Sequence, residues 1–363
     1  SIDITITGEN FRSSFKKLPE HTASSPSGRH LSHYKVLARD ERLSGLIAMM
    51  ISIPFRIGFA PSRWRTAIQI MLEKDSGDPQ IHRLQVTQLL KVDMNLAFRL
   101  LWGRRLVYHA LSNDILTKWN FGNLPGDGCL SALLLKVVSY DYIRARQTTA
   151  IVFNNDAKAC YDRVIPSLGL MATERFGIPP SAATCMLAII LAMHFFVRTA
   201  YGVSPTYFAT TSNLLILGVL QGSGAAPCIW MCVSNVLFQA LTTLTDGFQA
   251  HCPRLILYSR RPGEAFVDDA DLWLTSDTQS SSEITASMQK VAQHWECLLF
   301  ASGGALALQK CFFYLMYNTA ITRIDFLDRD RLLPGPPRPG RQPDGVGRGW
   351  PRRDGRPGGT GAP

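Results

Sequence analysis

Apolar and polar residues alternate with a period of two in several short segments and with a helical period in longer ones. Alternation in AIQIMLEK (67–74) and IHRLQVTQLL (81–90), on either side of the turn sequence DSGDP, predicts a β-hairpin. Longer apolar stretches predict helices over 36–60, 94–111, 131–146, 179–202, 227–244 and 280–299. Both kinds of element are therefore expected within one chain.

The segment EAFVDDADLWLT at 264–275 combines strand alternation with two adjacent acidic residues. Apolar residues lead up to Asp268 and Asp269, and alternation resumes after them, which predicts a β-hairpin with both carboxylates at its tip. Adjacent carboxylates repel each other unless a cation neutralises them. Mg²⁺ favours one or two carboxylates together with substrate phosphates. On this segment alone, an acidic turn without a ligand explains the pattern equally well.

A third acidic position follows the apolar strand Ile151–Phe153, which is expected to end at Asp156. A carboxylate at the end of a buried strand is costly to leave unpaired. In DAKACYDRV, Asp162 follows six residues later, with Tyr161 before it. The segment alone also fits a strand–turn–helix junction in which Asp162 caps the helix.

Two glycine-rich segments precede predicted helices. LGVLQGSGAAP at 217–227 places small residues around Gln221, so that helix N–H groups are open to a ligand; a flexible helix entry is the alternative. NFGNLPGDGC at 120–129 lacks the GxxxxGK[ST] pattern and is not a Walker A loop. In the first hairpin, Lys74 and Arg83 lie near the turn, where they either hold phosphates or remain solvated.

The net charge of +10 over 363 residues is unevenly distributed. Residues 331–363 contain seven arginines and two aspartates and thus supply +5 of it. This Pro-, Gly- and Arg-rich tail has too little apolar surface to fold and is expected to be disordered, as an RNA-binding tail or a frame-shifted end. The rest of the chain is only mildly basic, so charge by itself is weak evidence for a nucleic-acid partner.

The eight cysteines form no CxxC pair, and buried free thiols are their expected state. Their spacing and the lack of a signal peptide indicate an intracellular setting, without distinguishing cytoplasm from nucleus. The longest apolar runs, Cys185–Val197 and Leu46–Phe55, are too short to span a bilayer, so no membrane partner is expected.

In their order along the chain, these segments resemble the motifs of a reverse transcriptase domain of the non-LTR retrotransposon type. DAKACYDRV at 156–164 resembles motif A, GVLQGSGAAP at 218–227 motif B, FVDD at 266–269 motif C and GGALALQK at 303–310 motif D. SSPSGRHLSHYK at 24–35 resembles the extra N-terminal motif of that group. The resemblance covers roughly residues 20–316, and four motifs in order are more specific than any one of them.

The resemblance implies an α+β right-hand polymerase fold in which an antiparallel palm sheet packs on helices. Residues 1–40 would form an N-terminal extension, 41–155 mainly the fingers, 156–320 mainly the palm and 321–363 a disordered tail. The short segment after motif D leaves no room for a thumb, which is expected to be largely absent. Grip on a duplex should then be poor.

The resemblance also implies two-metal nucleotidyl transfer of dNTPs to a primer 3′-hydroxyl. Asp156, Asp268 and Asp269 would bind two Mg²⁺ ions, with Mn²⁺ as an alternative. Lys310 would neutralise or protonate the leaving pyrophosphate. The implied partners are an RNA template, a DNA primer and dNTPs; the oligomeric state is not indicated.

Five further residues would contact the nucleotide if the resemblance holds. Lys74 and Arg83 would hold the triphosphate, and Gln221 and Gly222 would lie against the incoming nucleotide. Tyr161 matches the position at which the family has a bulky ring under the sugar. A ring there would clash with a ribose 2′-hydroxyl and so favour dNTPs.

Two other functions stay open at this point. One is a truncated, non-catalytic retroelement relic that binds nucleic acid. The other is an RNA-dependent RNA polymerase, which usually has a polar residue in place of Tyr161 and GDD in place of FVDD.

Overall fold

This computed structural model describes residues 1–16, 18, 27–29, 31–73, 77, 80, 84–126, 128–252, 257–317 and 320–325. Lys74, Arg83 and the 331–363 tail lie outside the described residues, as does the chain beyond 325, where a thumb would begin. Within the described part the chain is α+β with an antiparallel main sheet, which confirms the predicted fold class at that level.

Several helices of the described residues overlap the predicted segments, whereas those at 8–16, 160–163 and 166–175 were not predicted. The helices are α1 (Gly8–Lys16), α2 (Leu31–Leu37), α3 (Glu41–Ile57), α4 (Val92–Leu100), α5 (Val107–Ser112), α6 (Cys129–Arg146), α7 (Cys160–Arg163), α8 (Pro166–Arg175), α9 (Pro180–Leu191), α10 (Ala226–Leu241) and α11 (Ser281–Ala301). A π-helical segment, Leu101–Leu106, joins α4 to α5, so the predicted helix over 94–111 is continuous but irregular.

A five-stranded antiparallel sheet has the strand order β11-β10-β3-β9-β8. Its strands are β3 (Thr149–Asp156), β8 (Gly263–Phe266), β9 (Asp269–Ser276), β10 (Phe312–Tyr317) and β11 (Ala320–Asp325). The central strand β3 is buried on both faces, which explains why its sequence is an apolar run and not an alternating one. Helix α11 packs on one face of the sheet, against β3 and β9.

A second, four-stranded sheet has the order β2-β1-β4-β5. Its strands are β1 (Thr66–Glu73), β2 (Leu84–Leu89), β4 (His194–Thr199) and β5 (Gly202–Val203). The predicted β1–β2 hairpin pairs antiparallel as expected, whereas β4 joins β1 in parallel. The prediction of one long helix over 179–202 is wrong beyond Leu191. A short apolar run fits either element, and the aromatic HFFV segment is used here as a strand.

The N-terminal segment contains a helix that the sequence pattern did not indicate. Phe11 and Phe15 of α1 are fully buried, and α1 packs against α3. The hairpin β6 (Phe248–Cys252) and β7 (Leu257–Arg261) was likewise not predicted. Neither segment has enough apolar residues to show a helical or strand periodicity in the sequence. Both elements therefore depend on tertiary contacts.

Most buried apolar side chains form one cluster that runs from α1 and α3 through α10 to α11. A smaller cluster lies on the other face of the five-stranded sheet, under α6. Among the described residues, no helix is both long enough and apolar enough to cross a membrane.

Candidate active site

Three carboxylates lie at one edge of the five-stranded sheet. Asp156 is the last residue of β3 and stands directly opposite Asp269, the first residue of β9. The backbone N–H of Ala157 donates to the carbonyl of Asp268 at 2.9 Å, which ties the end of β3 to the β8–β9 turn. Since β3 and β9 run antiparallel, the strand end that carries Asp156 meets the hairpin tip. The sequence prediction of a hairpin with both aspartates at its tip is confirmed.

The turn that presents Asp268 is held in an unusual backbone conformation. Val267 has φ +60°, which is rare for a β-branched residue and therefore needs support from neighbours. The indole N–H of Trp230, on α10, donates to the Val267 carbonyl at 2.6 Å. On the other side, the loop after α5 packs so closely that a Cβ at Gly122 would lie 2.6 Å from the Val267 nitrogen. The turn is thus clamped between a helix and a loop.

Replacing Trp230 by Phe should loosen this clamp. The ring would remain, but the Val267 carbonyl would lose its donor, at a cost of about 1–3 kcal/mol in the free energy of unfolding. The urea-unfolding curve should shift to lower concentration. If the chain has the primer-extension activity that the resemblance implies, that activity should fall about tenfold. Trp102→Phe is the matched control, because Trp102 is buried and donates to Thr173 far from the turn. Should that activity exist and fall equally in the two variants, a specific role for Trp230 would be contradicted.

The carboxylates perturb one another electrostatically. Burial raises the pKa of Asp268, and the charge of Asp156 adds to this, while a backbone hydrogen bond and the charge of Lys310 lower it in part. Burial also raises the pKa of Asp269, with additional contributions from Asp268 and Asp156. Adjacent anions in a partly buried position are unfavourable on their own and attract a cation.

Lys310 supplies a cation in this conformation. Its ammonium lies 2.5 Å from Asp156 Oδ2, and this hydrogen bond is the main reason that the pKa of Lys310 is raised. The residue ends a short 3₁₀ turn, Leu308–Lys310, just before β10. The same loop is anchored to the end of β3, since Ala307 N–H donates to Asp156 O at 2.9 Å and Lys158 N–H to Ala305 O at 2.8 Å.

Carboxylate oxygens are the ligands that Mg²⁺ prefers, and the edge offers three such groups. Within the described residues, no three His, Cys, Asp or Glu side chains already converge into a ready-made metal site. The chemistry of these carboxylates fits a cation that takes one or two of them and completes its shell with substrate phosphates and water. Lys310 would have to leave Asp156 for such a cation to bind.

The loop that carries the predicted nucleotide residues Gln221 and Gly222 packs beside Tyr161. Val219 N–H donates to the Tyr161 carbonyl at 2.8 Å, so the glycine-rich loop packs on the segment after β3. Tyr161 is half-buried, and burial raises the pKa of its phenol, with Asp268 among the nearby charges. The phenol is therefore neutral at physiological pH.

The Gln221 side chain joins two parts of the chain. In the amide orientation that satisfies its neighbours, it donates to Val86 O at 3.0 Å and to Asp162 Oδ2 at 2.7 Å. Gln88 N–H donates in turn to the Gln221 carbonyl at 2.9 Å. In this conformation the amide binds protein atoms that link β2 to the segment after β3.

Gly222 requires a backbone that other residues adopt poorly. Its φ is +106°, and a Cβ there would lie 2.5 Å from the Gln88 carbonyl oxygen. Asn95 completes the loop by donating to Gly222 O at 3.2 Å and accepting from Gly224 N–H at 2.7 Å. The loop is therefore closely packed against β2 and α4, which argues against a merely flexible helix entry.

A buried polar network beneath the carboxylate edge was missed by the sequence interpretation. Asp271 lies two residues after Asp269 and accepts from Lys136 Nζ at 2.6 Å and from Asn154 Nδ2 at 2.7 Å. Glu264 stands opposite Asp271 in the β8–β9 register. The alternation in EAFVDDADLWLT already places these acids on one face, but their cationic partners come from distant segments.

Glu264 has two polar side-chain partners on that face. It accepts from Trp273 Nε1 at 2.9 Å and from Arg261 Nε at 3.3 Å. Arg261 also donates to Ser139 of α6, and its guanidinium lies 4.2 Å from the ring centre of Phe248. The network thus ties α6 to the strands that carry the carboxylate edge.

Glu264 should make the stability of the protein depend on pH. Burial raises the pKa of Glu264 to about 7, partly offset by Arg261, from an ordinary value of 4.5. A raised pKa means that the folded state favours the protonated acid. The free energy of unfolding should therefore fall by about 3 kcal/mol as pH rises from about 4.5 to 7, at roughly 1.4 kcal/mol per unit. Urea unfolding of wild type and Glu264→Gln at several pH values would measure this difference, and parallel curves would contradict it.

Lys74 and Arg83 lie outside the described residues, so their predicted contact with the triphosphate stays a prediction. The predicted residues Asp156, Asp268, Asp269 and Lys310 lie together at one sheet edge, although they are far apart in the sequence. Tyr161 lies near Asp268, whereas Gln221 and Gly222 pack against β2. Comparison of the chain with protein-family models and with curated proteins found no match in either set.

Proposed function

We propose that this chain is an RNA-directed DNA polymerase domain of a retrotransposon, which transfers dNTPs to a primer 3′-hydroxyl. The observation that carries the proposal is the pairing of Asp156 with Asp269 at the edge where Asp268 also lies. In the proposal, the five-stranded sheet with α10 and α11 is the palm, and the four-stranded sheet belongs to the fingers. The motif order along the chain supports the same assignment.

The carboxylate edge has the chemistry that nucleotidyl transfer requires. Asp156 and Asp268 would hold the divalent ions, with Asp269 in support. Two Mg²⁺ ions, when bound, activate a 3′-hydroxyl and stabilise the triphosphate charge. The chain's own contribution is to hold the reacting groups in line and to neutralise developing charge with Lys310. The Lys310 ammonium donates a hydrogen bond to Asp156. For a metal ion to bind Asp156, Lys310 would have to move from this carboxylate to a substrate phosphate.

Tyr161 supports deoxyribonucleotides as the substrate. The residue is half-buried, its backbone carbonyl is bound by the glycine-rich loop, and Asp268 is among the charges near its phenol. The phenol is neutral and offers no strong acceptor for a 2′-hydroxyl. Gly222 and its closely packed loop would provide a floor for the nucleotide.

The proposal is tested by measuring which nucleotide sugar and which template the protein uses in primer extension. Purified chain would be given an oligo(dT) primer on poly(rA) or poly(dA), with dTTP or UTP and Mg²⁺. We expect extension on poly(rA) with dTTP and much slower use of UTP. A preference for UTP would indicate an RNA polymerase. Salt-sensitive primer–template binding without extension would indicate a non-catalytic nucleic-acid binder.

A further inference from the structure

Helix α3 carries an apolar seam on its exposed face. The seam consists of Leu43, Leu46, Met50, Ile53 and Ile57, each at least 41% exposed. Their spacing alternates between three and four residues, which is the a/d spacing of helices that pack side by side. The helix is well defined, since the Asp40 side chain caps its start and Gly58, with φ +77°, ends it.

The opposite face of α3 is already used inside the molecule. Ala48, Ile51 and Phe55 are buried in the main core, where α3 packs against α1 and α9. Two further exposed apolar residues lie next to the seam in sequence, Met49 and Phe59, which are 54% and 44% exposed. Exposed apolar side chains that cluster on a protein surface often mark an interaction site. A helix that is apolar on both faces is expected to be covered on both.

The charges beside the seam indicate the kind of partner. Arg42 and Arg56 are exposed and lie fourteen residues apart, two heptads along the same flank of the seam. Neither makes an ion pair with a described residue. Glu41 is also exposed, but it points to Arg12, 3.5 Å away, on the side of α1. The free flank is therefore positive.

We propose that the α3 seam docks an amphipathic α-helix of another protein, with leucine-like residues on its apolar face and Asp or Glu on the flank that meets Arg42 and Arg56. Helix-in-groove recognition of this type relies on anchors at the same three- and four-residue spacing. The charged flank would select the partner and its orientation. None of the three carboxylates takes part, so the proposal is independent of the proposed polymerase activity.

Two other occupants fit the seam poorly. A second copy packed antiparallel would bring Arg42 against Arg56 of its partner. A parallel copy would present the other flank, where Ile47 is half-buried, Pro54 is buried and no carboxylate is offered. The 331–363 segment contains seven arginines and few large apolar residues, so it lacks both the apolar seam and the acidic flank.

The test uses a fluorescein-labelled 21-residue helical peptide with Leu at its seam positions and Glu on the flanks. Two control peptides are used. A scrambled peptide of the same composition tests the apolar spacing, and a peptide with Lys in place of Glu tests the flanking charge. Fluorescence anisotropy with the full chain should give a Kd of about 1–10 µM for the Leu/Glu peptide and at least tenfold weaker binding of both others.

Protein variants identify the surface. Leu46→Glu should weaken binding of the Leu/Glu peptide at least tenfold, whereas Leu134→Glu, at a 61% exposed leucine of α6, should not. The double variant Arg42→Glu/Arg56→Glu should reverse the preference toward the Lys peptide. Circular dichroism would verify that each variant is folded.

Three results would overturn the proposal. One is equal binding of the scrambled peptide, which would reveal simple charge attraction. Another is unchanged binding by folded Leu46→Glu. The third is a dimer in analytical ultracentrifugation of the wild type that Leu46→Glu dissociates, which would assign the seam to a second copy.

Discussion

Asp268→Asn is expected to reduce primer extension by about 10³-fold or more, whereas Asp269→Asn should lose clearly less. Losing a cation ligand removes several kcal/mol of transition-state stabilisation, and each 1.36 kcal/mol is tenfold in rate. Asp268 is half-buried in the clamped turn, while Asp269 is exposed at the start of β9. A carboxylate that is less screened by water binds a cation more strongly. The activity loss should therefore be larger for Asp268→Asn than for Asp269→Asn. Single-turnover extension of a labelled primer measures both.

The stability of these variants separates chemistry from folding. Burial and neighbouring anions raise the pKa of Asp268, so its charged form opposes folding at neutral pH. Asp268→Asn should therefore unfold at an equal or higher temperature than wild type while losing activity. Greater activity loss in Asp269→Asn than in Asp268→Asn would overturn the assignment of the principal ligand.

Tyr161→Val should relax the choice of sugar. If the half-buried ring excludes a 2′-hydroxyl, its removal opens that space without changing the carboxylate edge. We expect the ratio of kcat/KM for dTTP over UTP to fall on the order of 100-fold, the range that steric contacts in a pocket can supply. Steady-state extension on poly(rA)/oligo(dT) with each nucleotide measures the ratio.

Tyr161→Phe is the matched control for this substitution. It keeps the ring and removes only the phenol, whose pKa is raised by burial and which stays neutral in either case. The nucleotide ratio should therefore remain close to that of wild type. A fall in both variants would show that the hydroxyl, and not the ring, discriminates between the sugars.

The acidic hairpin and the glycine-rich loop could be predicted from the sequence, because each depends on residues that are neighbours along the chain. Alternation around FVDD predicts a hairpin with acids at the tip, and the hairpin β8–β9 has its turn at Val267–Asp268. Glycines around Gln221 predict close backbone packing, and Gly222 indeed leaves no room for a Cβ. The alternation and the glycine spacing each reflect a local requirement, of one hairpin in the first case and of single backbone positions in the second.

The remaining features depend on contacts between distant segments. No local period indicates that Trp230 donates to Val267, or that Lys136 neutralises Asp271 under the carboxylate edge. The exposed seam of α3 is visible in the sequence only as excess apolar residues, because the burial of its other face is decided by α1 and α9. The segment 194–199 could be a helix or a strand until β1 provides a partner.

The most direct test follows single nucleotide additions. Purified chain, a 5′-labelled oligo(dT) primer on poly(rA), dTTP and Mg²⁺ should give products that lengthen in one-nucleotide steps, with one pyrophosphate released per step. The products should vanish with Asp156→Asn or when Mg²⁺ is chelated. Folded wild-type protein that binds the primer–template but yields no Mg²⁺-dependent extension would contradict the assignment of this carboxylate edge to nucleotidyl transfer.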